Sequence, residues 1–182
     1  MLEGKQVIVR PVEEKDLPIL ATWRNAEANR PFFFNPWPVY PGGQKTWYAN
    51  LVADRTRLLL MIETRDGRSV GMIGIAGIDW RNQECELGPG IVVPEARGNG
   101  YIEEAIELVV TYCFTELNLH RLHCACYPFN RVIEMMKLFG FQQEGILRQA
   151  AFARGKFHDK VILGLLREEW EADCGSASNT RN

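Results

Sequence analysis

Several absences narrow this sequence before any motif does. No block of lysines and arginines interrupts the 182 residues, and the 21 basic and 23 acidic side chains leave a formal charge of −2. The long-range attraction on which nucleic-acid and anionic-membrane binding rely is missing, so neither is an expected partner. No apolar run approaches the roughly 20 residues of a membrane-spanning helix, and the opening Met-Leu-Glu-Gly-Lys-Gln has no apolar signal core. The expected compartment is the cytoplasm. Cys85, Cys113, Cys124, Cys126 and Cys174 form an odd set without a Cys-x-x-Cys pair or zinc-type spacing, which points to reduced thiols rather than disulfides or a metal centre. Cys124 and Cys126 share one face of a strand as buried filler, whereas His120 and His123 fall on opposite faces and make no metal pair. No metal is expected.

No repeat and no interdomain linker is visible either, and the length suits one domain over residues 1–170 followed by a polar, flexible tail over 171–182. Val7 to Val12 alternates as a strand, and Glu13 to Asn25 places Leu17, Leu20, Ala21 and Trp23 at helical spacing. Asn29 to Gly43 is crowded with proline and aromatic residues and reads as a loop that either walls a binding site or plugs the core. A helix is expected over Lys45 to Ala53, then strands over Arg57 to Thr64, Val70 to Ile78 and Glu84 to Val93, the first two joined by the turn Arg65-Asp66-Gly67-Arg68. A helix from Gly100 to Leu117, a strand over His120 to Cys126, a short helix over Arg131 to Phe139 and a final hairpin of Gln149 to Ala153 with His158 to Leu166 complete a mixed α/β order.

The most informative segment is Val93-Pro-Glu-Ala-Arg-Gly-Asn-Gly100-Tyr-Ile, between a strand and a helix. Glycines let the backbone approach an anion closely, the helix beginning there aims unpaired N–H groups at the same point, and Arg97 adds a cation. A Gly-x-Gly turn also arises for backbone reasons alone.

That order, with Arg97-Gly98-Asn99-Gly100-Tyr101 after the fourth strand, resembles the GNAT superfamily of acetyl-CoA-dependent N-acetyltransferases. Leu119-His-Arg-Leu-His-Cys-Ala-Cys-Tyr-Pro-Phe-Asn130 is similar to the family's fifth strand, and Leu138-Phe-Gly-Phe-Gln-Gln-Glu-Gly145 to a later segment. Leu147-Arg148, Gly155-Lys-Phe-His-Asp159 and Leu165-Leu-Arg-Glu-Glu-Trp170 resemble the branch typified by ribosomal-protein N-terminal acetyltransferases. Arg10-Pro11 and Trp23-Arg24-Asn25 extend the resemblance to nearly the whole chain.

The resemblance implies a mixed, mostly antiparallel sheet flanked by helices and splayed between strands 4 and 5. It implies acetyl-CoA as co-substrate, held by backbone amides of Arg97, Gly98, Asn99, Gly100, Tyr101 and Ile102, by Ile91, Val92 and Val93 of the fourth strand, and by Asn130. Gly88-Pro89-Gly90 is a plausible bulge to force the splay. An attacking amine must be neutral, so a base is needed. Glu86 matches the family's strand glutamate and Glu84 shares its face, although acidic residues at a strand start are often merely solvated. The expected reaction is transfer of an acetyl group to a primary amine, of a small molecule or a protein N-terminus, by direct attack in a ternary complex. A longer acyl group is the variant of that reading. Related proteins imply a homodimer.

The sequence departs from the family pattern at Ile102, where a small residue is usual, at Glu103, expected on the exposed helix face, and at Asn130, whose segment is short. Met136 stands where a general-acid tyrosine is frequent, and Tyr127 is the substitute to consider. Trp23, Asn25, Phe33, Trp37, Trp47 and Trp80 are candidates for an acceptor pocket or the core. The competing reading is a noncatalytic GNAT-fold binding or regulatory module whose coenzyme A site these departures have weakened.

Overall fold

The computed structural model describes residues 1–178, with side chains through 172 except that of Pro89. Its strands are β1 (Leu2–Glu3), β2 (Val7–Pro11), β3 (Leu58–Thr64), β4 (Ser69–Asp79), β5 (Glu84–Val92), β6 (Arg121–Cys126), β7 (Gln142–Ala153) and β8 (Lys156–Leu166). They form one sheet in the order β1-β2-β3-β4-β5-β6-β8-β7. Every neighbouring pair is antiparallel except β5 with β6. The short β1 advances the count by one, so the strands expected as fourth and fifth are β5 and β6.

The helices are α1 (Leu17–Asn25), α2 (Gln44–Ala53), α3 (Tyr101–Thr115), α4 (Val132–Leu138) and α5 (Arg167–Ser178). In α3, Ala105, Ile106, Val109, Val110, Cys113 and Phe114 make one buried stripe that packs along β2 to β5. Four free cysteines, Cys85, Cys113, Cys124 and Cys126, are buried; the side chain of Cys174 lies outside the described residues. Among the described residues no helix is long and apolar enough to cross a membrane.

An ion triad ties β2 to its neighbours. The Arg10 guanidinium donates to Asp16 Oδ2 at 2.7 Å, Asp16 Oδ1 at 2.9 Å and Glu63 Oε1 at 2.7 Å, with Arg10 only 8% and Asp16 only 5% exposed. Burial pushes the Asp16 carboxyl up, but hydrogen bonds from Arg10 and from the Glu13 N–H outweigh it and hold Asp16 below the usual carboxylate range. Hydrogen bonding to Arg10 lowers Glu63 as well.

The segment that opens the site is β5. It pairs with β6 only through Glu84↔Arg121, Cys85↔Leu122 and Glu86↔His123, while its pairing with β4 continues to Val92. Ile75 pairs with Leu87 and Ile73 with Gly90, so β5 spends one more residue than β4 between the two pairs. That extra residue is a β-bulge, and Gly88 within it has φ 148°. The Gly-Pro-Gly run thus bends β5 where β6 leaves it.

Two elements run beyond their expected limits. β7 starts at Gln142 rather than Gln149, because an edge strand exposed along most of its length shows no buried alternation. Beyond Trp170, where a polar flexible tail was expected, α5 continues helical to Ser178; residues 179–182 lie outside the described residues. Arg167 anchors its start by donating to Asn118 Oδ1 at 3.1 Å and to the Leu119 carbonyl, and Trp170 packs on Phe114 at 5.3 Å between ring centroids.

Candidate functional site

Past Glu86 the gap between β5 and β6 becomes a cleft of about 760 Å³. Ile91, Val92, Arg97, Ile102 and Asn130, all expected from sequence, line it. Val93 does not, its side chain being buried in the core. Gly98, Asn99, Gly100 and Tyr101 form the turn between Arg97 and Ile102 and the first residue of α3. Gly98 at φ 79° and Gly100 at φ 81° have the left-handed conformation that favours glycine. The first intrahelical bond of α3 is from the Glu104 N–H to the Gly100 carbonyl at 3.0 Å, so the N–H groups of Tyr101, Ile102 and Glu103 have no acceptor among the described residues. That end can receive an anion.

Arg97 is more constrained than a free cation at the mouth. Its Nε donates to the Val92 carbonyl at 3.1 Å and its Nη2 to Asn29 Oδ1 at 2.7 Å, and the buried Asn29 in turn donates to the Trp23 carbonyl at 2.9 Å. Asn130 accepts from the Val132 N–H at 3.2 Å at the start of α4. Ile102 is accommodated because it faces Gly90: a Cβ there would lie 3.6 Å from Ile102 Cδ1. The cleft therefore stays open beside the branched side chain. Glu103 is exposed, as expected, and also lines the cleft at the start of α3. Glu104 is the structural acid of this turn, accepting from the backbone N–H groups of Lys5, Gln6 and Val7.

Of the two candidate bases, Glu86 lines the cleft and Glu84 does not. Glu84 pairs with Arg121 Nε at 3.3 Å, and Arg121 also pairs with Glu144 at 2.7 Å. That network ties Glu84 to Arg121 outside the cleft lining, so of the two candidates Glu86 is the one placed at the cleft. Across the sheet Glu86 is registered with Ala76. Ala76 and Phe33 line both the cleft and a second cavity of about 520 Å³, walled by α1, α2, β3 and β4. The carboxylate-bearing strand thus passes where the two spaces adjoin.

The cleft offers no tyrosine among its described lining residues; Met136 is there instead. Tyr127 is fully buried, stacked on Phe129 at 4.9 Å, with its hydroxyl unpartnered and its pKa raised by burial. Cys124 and Cys126 line the cleft, but the Cys124 thiol is pushed well up by its hydrogen bond to Cys126 and by burial, so it is no ready nucleophile. No group of three or more metal-ligating side chains occurs among the described residues. Of the candidate aromatic residues Phe33 and Trp47 line the second cavity, Trp23 is in the core, and Trp37 and Trp80 are 73% and 53% exposed. Asn25 holds the loop instead, accepting from the Val39 N–H at 2.7 Å and donating to its carbonyl at 2.8 Å. Arg24 of α1, read only as part of a motif, lines that cavity too.

Comparison with known proteins agrees with this geometry. Residues 6–142 match the family described as Acetyltransferase (GNAT) domain. Bacillus subtilis YdaF, provisionally named a ribosomal N-acetyltransferase, is 35% identical over 109 residues, 59% of this chain and 59% of YdaF; the match thus spans less than two thirds of that relative. Escherichia coli spermidine N(1)-acetyltransferase is 25% identical over 182 residues, covering 99% of this chain and 96% of that one. Among solved structures, a Vibrio cholerae spermidine N-acetyltransferase in complex with CoA and spermine shares the fold with a TM-score of 0.87 at 22% identity, covering 92% of this chain and 99% of that one. The chain belongs to the GNAT acetyltransferases, N-acetyltransferases whose co-substrate is acetyl-CoA.

Proposed function

We propose that this GNAT acetyltransferase acetylates a primary amine bound in the 520 Å³ cavity, with acetyl-CoA in the β5–β6 cleft and Glu86 as base between them. The observation that carries the reading is the end of β5–β6 pairing at Glu86↔His123. It leaves the later β5 backbone without a partner on that side, beside a helix N-terminus whose first N–H groups are free. The pyrophosphate falls to the N–H groups of Tyr101, Ile102 and Glu103 with the turn from Arg97 to Gly100, and the amide-rich pantetheine arm to the free edge of Ile91 and Val92. The thioester supplies the electrophilic acetyl carbon.

The protein's own residues supply approach and proton transfer. An amine that enters protonated at neutral pH attacks only once neutral, and Glu86, directly or through one water, takes that first proton. The nitrogen then bonds to the acetyl carbon, and as the C–S bond breaks the second proton lost from nitrogen goes to the departing coenzyme A thiolate or to water. The aromatic loop, through Phe32, Phe33 and Phe34, walls the cleft against water. The cavity volume is in the ~300–1,000 Å³ range of small-molecule sites, enough for a small amine or the first residue of a protein N-terminus. The partial match to YdaF supports the N-terminal choice and the near full-length match to spermidine acetyltransferase the small-molecule one. The same reading makes the protein a homodimer through the β7–β8 hairpin, which exposes Ile146, Leu147, Phe152 and Phe157.

Calorimetric titration with acetyl-CoA tests the pocket, and Glu86→Gln tests the base. Saturable binding in both proteins is expected, with kcat/KM in the variant lower by ~10²–10⁴-fold. A Glu86→Gln protein of wild-type kcat/KM would remove Glu86 from the mechanism, and an absence of saturable binding would remove the pocket.

A further inference from the structure

The charges around the second cavity identify the kind of amine that fits it. Its walls are apolar, among them Leu20, Phe33, Trp47, Leu58, Met72 and Ile75, and its two charged lining residues are both arginines, Arg24 and Arg57. No carboxylate is among its described lining residues. Arg57 is already neutralised by Asp54, 2.5 Å from its Nε. Arg24 is in no ion pair among the described residues; it lies 3.8 Å over the Phe33 ring and donates to the Asn35 carbonyl. That leaves most of its five N–H donors unused, on a half-buried side chain whose pKa burial lowers. A desolvated guanidinium with no counter-charge is costly, and an anion on the ligand removes the cost. The ring under Arg24 is Phe33, which lines both cavities, so the cation stands in the acceptor space one side chain away from the cleft.

We infer that the acceptor is an amine bearing an apolar body and an anionic group, of the amino-carboxylate class, with Arg24 as the residue that receives the anion. A polyamine meets the opposite field, with guanidinium groups where it needs carboxylates. The inference rests on the acetyltransferase reading and adds the substrate's charge to it.

The test compares acceptors that differ in one charge. Coenzyme A release is followed at fixed acetyl-CoA with aromatic and branched amino acids, with their amino-alcohol counterparts such as phenylalaninol, and with spermidine. The best amino acid is expected to exceed its own alcohol at least tenfold in kcat/KM, with spermidine slowest. Arg24→Gln should collapse that gap through KM, and Arg24→Lys should keep part of it. Melting temperatures and acetyl-CoA titrations of both variants separate this effect from misfolding or a damaged cofactor site. Spermidine as the best acceptor, alcohols equal to acids, or a gap that survives Arg24→Gln would each overturn the inference. If acetyl-CoA binds but nothing turns over, the transferase reading has failed on its own account. The acid–alcohol pairs titrated directly into wild type and Arg24→Gln then decide the inference, equal affinities for acid and alcohol overturning it.

Discussion

Gly88→Ala and Gly90→Ala exchange the same atoms two positions apart on β5, and the structure gives them opposite signs. A Cβ at Gly88 would meet nothing within 4 Å, so packing contributes nothing there. Its φ of 148° is the whole cost, about 1–3 kcal/mol for an L-residue held in a glycine conformation. At Gly90 the backbone is ordinary and the new Cβ reaches Ile102 Cδ1 at 3.6 Å, a normal contact. Alanine there restricts the unfolded chain, a gain of about 0.4–1 kcal/mol. For a chain of this length 1 kcal/mol moves the melting temperature by about 2–4 °C. The two variants should therefore differ by roughly 3–16 °C when the extremes of both ranges are combined. Differential scanning calorimetry reads this directly, and titration with acetyl-CoA shows how Gly88→Ala resolves its strain. A retained bulge keeps the affinity and lowers stability; a relaxed bulge spares stability, extends β5–β6 pairing and weakens binding. A Gly88→Ala protein at least as stable as Gly90→Ala, with unchanged affinity, would refute the claim that a strained bulge opens the cleft.

Glu103→Gln removes an anion from the lining of the phosphate-binding end. At ~7 Å in water each phosphate charge repels it by about 0.6 kcal/mol, so coenzyme A should bind roughly 2–8-fold tighter at low salt, the gain fading as ionic strength rises; unchanged affinity in calorimetric titration would place the carboxylate clear of the ligand. Arg10→Met leaves Asp16 buried without its cation and should cost about 3–5 kcal/mol at pH 7 by urea titration. Because Asp16 and Glu63 are lowered in the folded state, their stabilisation is full above the unfolded values of about 3.9 and 4.3 and is lost as pH falls through the lower folded values; the wild-type and variant curves should converge in acid, and parallel curves would refute the triad. Truncation after Trp170 should shift the melting temperature by less than ~4 °C, whereas Trp170→Ala, which strips the half-buried ring from Phe114, should cost about 1.5–2.5 kcal/mol; we propose residues 1–170 as the folding unit on that basis, and the reverse order of effects would defeat it.

The turn was legible because its chemistry is local: Gly98 and Gly100 sit at positive φ in the structure, and the sequence shows them between a strand and a helix. The splay was legible through the same residue type at Gly88. What stayed hidden depends on distant partners. Alternation places Glu84 and Glu86 on one face, but only the fold brings Arg121 and Glu144 to Glu84. Glu103 and Glu104 are about 100° apart on the helix, and which of them is drawn inward was decided by the N–H groups of Lys5, Gln6 and Val7, nearly a hundred positions away. Arg24 was legible only as part of a motif, since its charge role depends on the lack of carboxylates among the described residues that line its cavity. The first half of β7 was missed because pattern reading detects burial, and that strand is defined by hydrogen bonds to β8.

The parallel seam between β5 and β6 is three residue pairs long, and among the described residues it is the sole strand-to-strand join between β1 to β5 on one side and β6, β8 and β7 on the other. Mechanically the sheet is two plates held by a short weld at one end, with the rest of the joint left open. A force or fluctuation that parts them concentrates at Glu84, Cys85 and Glu86, at the very carboxylate proposed as base. A ligand laid along the free edge of β5 then acts as a strut across the joint. On the proposed binding mode, occupancy of the cleft would stiffen the weld itself, and Glu86 would be best aligned when there is something for it to act on.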